Sequence, residues 1–406
     1  MQQREQYLKD AILNGTVRNT IVVKLSGDNS NPEPLYNNKI ISDSLKLHQA
    51  LCDNQNLKFG GCIASELNLE VISEEDLAGK TITLSIVQTA IIPTFPGTNT
   101  YPVESSGSVH IKTFPGSTTI TDAERVLFVG KIYSSKLSKK RIVRKIIAYD
   151  NMYWIGNMKC TNWYHKLYEG KDWLTIGELR ESLFQKVGFT NSQSLPADNF
   201  KAYMMDGTVT VADILRQICE INGCFGFLAD QSTVKFVFIN QGNQPEQYSH
   251  YIDLDIEDYA AQGFNGFQIR FDNGETGIYS WNSNNEPENL YLMDDNRLVT
   301  AGYRPETLNT QGVDGFHFES QNNPVKENFN ISYTPIRLRA EYRNWVELGD
   351  KIIVNIKWFD LQETEHNDTV ESIVLSRTIS GTGFFTDEII ADGENTHFTD
   401  VSSSEE

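Results

Sequence analysis

In Glu66-Leu67-Asn68-Leu69-Glu70-Val71 polar and apolar residues alternate without a break. A β-strand turns successive side chains to opposite faces, so this period of two predicts a strand with one dry face and one wet face. The same period holds upstream at Ile21, Val23 and Leu25. It returns far downstream at Ile352, Val354, Ile356 and Trp358, set against Lys351, Asn355 and Lys357. Ile373, Leu375 and Ile379 follow the same pattern. Two more strands, around 126–133 and 142–149, flank a basic turn at 134–141, and a hairpin is the economical reading. Gly349-Asp350 makes a tight turn into the strand that opens at Lys351.

The middle of the chain changes character. Thr175-Ile176-Gly177-Glu178 is a capping box, opening a helix through Leu179, Leu183 and Val187 that Gly188 stops. Thr210-Val211-Ala212-Asp213 opens a second helix through Ile214, Leu215, Ile218 and Ile221, stopped by Gly223, and a strand at 234–239 follows. Residues 91–117 contain Pro93-Thr94-Phe95-Pro96-Gly97 and Phe114-Pro115-Gly116, and read as a long loop or extended hairpin of the kind that serves contacts. The fold class is therefore mainly β with an α+β portion. The expected divisions are a short amphipathic helix at 1–14 (Tyr7, Leu8 and Ile12, with Gly15 as its stop), a β domain at 15–155, an α+β domain at 156–245, a second β domain at 246–395, and a flexible tail at 396–406.

Composition agrees. A chain of 406 residues is too long for one hydrophobic core. With 21 Phe, 17 Tyr and 6 Trp it is also too aromatic to be disordered. The formal charge of −19 disfavours ordinary phosphate-backbone or anionic-membrane binding. No run approaches the roughly 20 apolar residues of a membrane helix. The first ten residues mix charge signs and lack the apolar core of a signal peptide. Five scattered cysteines (Cys52, Cys62, Cys160, Cys219, Cys224) read as reduced, mostly buried thiols of a protein made in a cytoplasm.

Candidate chemistry is thin. Asp253-Leu254-Asp255-Ile256-Glu257 resembles the start of a calcium loop, but Asp258 stands where Gly is required and Phe264 where the bidentate Glu belongs. An exposed acidic turn is the better reading. Cys219 and Cys224 lack a second pair at zinc spacing. His48, His110, His165, His250, His317, His366 and His397 are scattered, with no zinc-protease or nucleophile-elbow motif. His317 and Glu319 share a strand face without a third partner, and no nucleotide-binding glycine loop occurs. Neither a catalytic site, a cofactor nor a metal is therefore expected, and the chain is expected not to be an enzyme. Tyr149, Tyr153, Trp154, Trp163 and Tyr164 could line a sugar-binding groove, although core and subunit interface is the plainer assignment.

Several stretches taken in order resemble bacteriophage tail-associated, or baseplate-hub, proteins. They are Asn38-Lys-Ile-Ile-Ser-Asp-Ser-Leu-Lys-Leu47 leading to Leu57-Lys-Phe-Gly-Gly-Cys-Ile-Ala-Ser-Glu66; Phe128-Val-Gly-Lys-Ile-Tyr133 with Ile146-Ile-Ala-Tyr-Asp150; Leu195-Pro-Ala-Asp198 before the helix at 208–223 and Phe225-Gly-Phe-Leu228; and Val346-Glu-Leu-Gly-Asp350 with Ile373-Val-Leu-Ser-Arg-Thr-Ile-Ser-Gly381 and Ala391-Asp-Gly393. Together they span most of the chain, from about residue 20 to 393.

The resemblance implies a homotrimer whose two β-barrel domains per copy are similar to tail-tube subunits. Six barrels then meet a six-fold tube above and a three-fold tip below. It makes 15–155 and 246–395 the tube-like domains, although members of the family interleave their domains along the sequence. The implied partners are a tail tube or distal tail protein, a tip spike or fibre protein, and DNA in transient passage without specific binding; no stable membrane association is implied. The location implied is the virion, after assembly in the host bacterial cytoplasm. Many relatives carry a C-terminal hydrolase or fibre module, so the end at Glu406 places such a role in a separate polypeptide. The alternative function is a carbohydrate-binding adsorption module at the tail tip, and the least favoured is a cryptic hydrolase using His317 and Glu319.

Overall fold

The computed structural model describes residues 17–26, 33–35, 39–52, 57–94, 116–121, 124–138, 142–239, 244–270, 274, 276–280, 289–293, 296–300, 325–359, 364–382 and 385–392. The expected helix at 1–14, the tip of the long loop at 91–117, His110, His317, Glu319, His397 and the tail at 396–406 lie outside these residues. The first strands are β1 (Val17–Ser26), β2 (Glu33–Leu35), β3 (Lys46–Ala50), β4 (Glu66–Ile72), β5 (Thr81–Thr94), β6 (Gly116–Thr121), β7 (Arg125–Leu137) and β8 (Val143–Tyr149). Two short helices, α1 (Asn151–Gly156) and α2 (Thr161–Leu167), precede β9 (Trp173–Thr175), α3 (Ile176–Val187), β10 (Lys201–Tyr203), α4 (Val211–Ile221), β11 (Phe225–Leu228) and β12 (Val234–Val237). Then come β13 (Glu246–Tyr248), β14 (Asp253–Ile256), β15 (Gly266–Arg270), β16 (Thr276–Ser280), β17 (Leu290–Met293), α5 (Arg297–Thr300) and α6 (Lys326–Phe329). The last are β18 (Ile336–Glu341), β19 (Lys351–Phe359), β20 (Glu365–Ile373), β21 (Ser376–Ser380) and β22 (Thr386–Ala391). The chain is mostly strand, as its alternation implies, and among the described residues no sheet closes into a barrel.

Two compact units form, and each draws on separated pieces of chain. The first takes residues 1–45, 68–146 and 380–385. Its strands lie in the order β2-β1-β5-β7-β8-β4, with β6 also on β5. Ile21 sits opposite Ile86 and Val23 opposite Leu84, so the period-2 faces of β1 and β5 meet across the ladder and are buried. Leu25 is only half-buried. In β4 Leu69 and Val71 point inward, while Asn68 and Glu70 stay partly wet. The register of β5 against β7 slips between Leu84 and Ser85. The pairing skips Leu127, so the extra residue lies on β7, and Leu84, Ser85 and Ile86 opposite it are all buried. The 380–385 piece is tied in by Gly381 N–H to Leu45 O (3.3 Å) and by Asp43 N–H to Thr382 Oγ1 (3.1 Å).

The second unit takes residues 46–67, 147–379 and 386–406. It holds the strand series β14-β18-β22-β21-β3, two three-stranded sheets (β13-β19-β20 and β16-β15-β17), the β9/β10 and β11/β12 pairs, and the described helices. Both capping boxes form as their spacing predicts. Thr175 Oγ1 accepts from Glu178 N while the Glu178 carboxylate accepts from Thr175 N, and Thr210 and Asp213 do the same for α4. Helix α4 is buried nearly all round, which obliges its polar side chains to find partners. Gln217 Oε1 accepts from Leu298 N (2.9 Å), and the Glu220 carboxylate accepts from Tyr291 OH and Asn296 Nδ2 (2.9 Å each). Past the helix Gly223 has φ +63°, and a Cβ there would lie 2.7 Å from the Phe329 ring, so both conformation and space demand glycine.

Two readings change. The alternation through Ile373, Leu375 and Ile379 is not one strand. Strand β20 ends at Ile373, Val374 N–H bonds Asp350 O (2.9 Å), and β21 then pairs in another sheet beside β3. The apolar pattern continues because both strands bury one face, and only the hydrogen bonds reveal the switch. Residues 253–256 form strand β14 rather than an acidic turn: Asp253 faces Arg339 and Asp255 faces Arg337 across an antiparallel ladder with β18.

Candidate functional site

The residue types suited to chemistry are dispersed. Pairing of β14 with β18 holds Asp253 and Asp255 extended, which removes the curvature a calcium loop needs. Cys219 Sγ lies 3.9 Å from Cys62 Sγ, and Cys224 Sγ donates to Cys219 O at 3.5 Å. Burial pushes the Cys62 and Cys219 thiols well up, which disfavours the thiolate that ligation or nucleophilic attack requires. All five cysteines are buried, and none forms a disulfide. His48 Nδ1 bonds Thr378 Oγ1 (3.2 Å), and His366 stacks on Trp358 with centroids 4.2 Å apart. Among the described residues no group of three His, Cys, Asp or Glu side chains is arranged to hold a metal ion.

The aromatic cluster divides. Tyr164 is fully buried; its hydroxyl donates to Tyr203 O (3.3 Å) and accepts from Met205 N (3.2 Å). Tyr168 OH donates to Ala202 O (3.2 Å). Tyr149 stacks on Tyr153 at 4.4 Å, Trp154 meets Tyr153 edge-on at 5.1 Å, and Trp163 is half-buried against the core. Tyr164 thus lies in the second unit's core with Trp163 packed on it, while Tyr149, Tyr153 and Trp154 are half-buried and contact one another.

Sequence reasoning missed the buried ionic groups. At the end of β8, Asp150 caps α1: its carboxylate accepts from Met152 N (2.9 Å) and from Ser65 N (2.8 Å). Burial drives this carboxyl up to about 6 against the opposing pull of those donors. The folded chain thus holds the proton more tightly than the unfolded chain. The stability this group contributes is complete below about pH 4 and is lost as pH rises through about 6. Asp150→Asn removes the titration, so the stability of the wild type relative to the variant should fall by on the order of 3 kcal/mol between about pH 4 and pH 7. Urea midpoints at the two pH values measure it. A difference that does not move would mean that the backbone donors keep Asp150 ionised.

A larger buried network lies in the same unit. Arg377, on β21, donates through Nε to Asp387 Oδ1 (3.2 Å), through a second nitrogen to Asp387 Oδ2, and to Val346 O. Both members are almost fully buried, and the guanidinium lies 5.3 Å from the Tyr342 ring. Beside it Arg343 donates to Glu246 Oε1 (2.7 Å) and Gln247 O (2.6 Å), and sits 3.8 Å over the Tyr248 ring. The network joins β13, β21, β22 and the connection before β19.

Two surface regions combine exposed apolar groups with charge of one sign. From Lys131 to Lys145 the chain carries Lys131, Lys136, Lys139, Lys140, Arg141, Arg144 and Lys145 and no carboxylate, although the whole chain is at −19. Arg144 is used internally, donating to Ser135 O and Glu74 O, and Lys145 pairs with Glu70 at 3.2 Å; Lys131 and Lys136 are exposed. Among them Tyr133, Leu137 and Ile142 are 54, 53 and 52 % exposed, and Ser73 N–H to Ile142 O (3.0 Å) brings Ile72 alongside. The second region is β14 and the residues after it. Ile252 and Ile256 are 55 and 39 % exposed and interleave with exposed Asp253, Asp255, Glu257 and Asp258. β14 heads its strand series, and its outer edge carries no strand among the described residues.

No protein-family model matches the chain, and no curated protein matches its sequence. Among solved structures it is similar to a tail protein from Neisseria meningitidis MC58, with 10 % identity and a TM-score of 0.45 over 94 % of this chain and 98 % of that one. It is also similar to the 43 kDa tail protein of prophage MuSo2 from Shewanella oneidensis, with 9 % identity, a TM-score of 0.44, and coverage of 92 % and 96 %. A chain of a PdpA–VgrG complex gives 11 % identity, a TM-score of 0.43, and coverage of 94 % and 67 %. By structure, then, the chain is similar along nearly its whole length to tail proteins, one of them from a prophage.

Proposed function

We infer that this chain is a structural hub of a bacteriophage tail, joining a six-fold tube to a three-fold tip as a homotrimer and lining part of the DNA path. The observation that carries the reading is the interleaving of two compact β-rich units, one assembled from 1–45, 68–146 and 380–385 and the other from the remaining pieces. This is the organisation that the resemblance implies, and a pair of β units per copy is what lets three copies meet six-fold symmetry. The tube-like domains are assigned to 15–155 and 246–395, with 156–245 as a peripheral α+β domain, except that the piece 46–67 packs with the second unit and the piece 380–385 with the first. The partners are a tube or distal tail protein on one side and a spike or fibre protein on the other, and the location is the virion. The charge of −19 suits a conduit, because acidic walls repel passing phosphates. The chain works by packing against other subunits rather than by catalysis. Among the described residues no helix is long and apolar enough to cross a membrane.

Deleting the gene from the phage or prophage that carries it tests the reading. Particles seen by negative-stain electron microscopy should lack joined tails, and supplying the chain in trans should restore them. Normal tails in its absence would refute the role.

A further inference from the structure

We propose that the basic hairpin formed by β7 and β8 in one copy docks on strand β14 of a second copy. The inference rests on the trimer reading above and gives it a surface. Each region on its own is an unfavourable arrangement in water. The hairpin exposes Tyr133, Leu137 and Ile142 among cations, and β14 exposes Ile252 and Ile256 among carboxylates. Contiguous exposed apolar groups rimmed by charge are the mark of a protein contact. The signs are opposite: Lys131 and Lys136 are exposed on a hairpin whose 131–145 stretch has no carboxylate, while 252–269 has four carboxylates and no cation. Arg339 and Arg337 stand opposite Asp253 and Asp255 in the ladder, while Glu257 and Asp258 make no ion pair among the described residues and lead the attraction. The occupant is a second copy because the rest of this chain, at −26 once the seven cations of 131–145 are set apart from the total of −19, supplies the acidic half of the match. Two different patches joining head to tail make a heterologous contact, which closes a ring when its rotation fits.

Sedimentation velocity on the full chain tests it, over about 1–100 µM, using the wild type, Lys131→Glu/Lys136→Glu, Glu257→Lys/Asp258→Lys, and all four changes in one chain. The wild type should self-associate and loosen as salt rises from about 0.05 to 0.5 M, as exposed charge pairs do. Each two-site variant should weaken association by on the order of tenfold, and the four-site chain should regain most of it, since reversing both signs restores attraction. The milder Lys131→Gln/Lys136→Gln, expected to weaken by a smaller factor, guards against misfolding of the reversed hairpin. Self-association indifferent to either two-site variant, or not regained in the four-site chain, would overturn this interface and leave the hub reading standing on the gene deletion. A wild type that stays monomeric throughout would also overturn it, while a tailless deletion phenotype would still uphold the hub.

Discussion

Asp387→Ala is expected to lower the unfolding free energy by about 3–5 kcal/mol, because it strands a buried guanidinium. Arg377 gives Asp387 two of its donors and Val346 O another, and almost nothing of either side chain reaches solvent. Removing the carboxylate leaves the cation with one backbone carbonyl and the face of Tyr342, far less than water offered it in the unfolded chain. Replacing both partners with apolar side chains of similar volume, as in Arg377→Met/Asp387→Leu, should recover most of the loss, since no unmatched charge then remains. Chemical denaturation of the three proteins decides the matter. If the double variant is as weak as Asp387→Ala, the network holds the four elements together by geometry that apolar side chains cannot reproduce.

Phe59→Ala should cost a comparable amount, about 3–5 kcal/mol, as a cavity at the centre of an aromatic cluster. Phe59 is 2 % exposed, and its ring centroid lies 4.5 Å from Phe329, 5.4 Å from Tyr291, 5.5 Å from Phe225 and 6.4 Å from Phe264. These partners come from α6, β17, β11 and the segment before β15. The side chain belongs to the 46–67 piece, which lies in sequence between strands of the first unit yet packs in the second. Hydrogen exchange should therefore rise in α4, β15 and β17 and stay unchanged in β1 and β5. Equal loss of protection in β1 and β5 would mean that the two units unfold as one.

Local rules carried the reading where local physics decides the structure. Leu67, Leu69 and Val71 are buried because a strand offers them one face, and Thr175–Glu178 and Thr210–Asp213 cap helices because the capping box is complete within four residues. Helices α1 and α2 escaped notice because six or seven residues give too little periodicity, and the cap Asp150 also ends a strand. Arg377 and Asp387 fall in the apolar phase of their strands, in step with Ile379 and with Ile389 and Ala391, but alternation within one strand cannot show that two charges from different strands meet there. Phe59, in Leu57-Lys58-Phe59-Gly60-Gly61, reads as loop, since its ring partners lie far downstream. The charge contrast between 131–145 and 252–269 was present in the residues, but it acquires meaning only with the exposure of Tyr133, Leu137, Ile142, Ile252 and Ile256.

The threading of 380–385 into the first unit sets a timetable for synthesis. Leu45 and Asp43 receive their partners Gly381 and Thr382 only after the ribosome has passed residue 382. An N-terminal half made first cannot mature first, in contrast to domains that fold in the order they emerge. A nascent chain stalled before residue 380 should remain protease-sensitive through β1–β8, so incomplete products would be cleared rather than persist as half-folded chains.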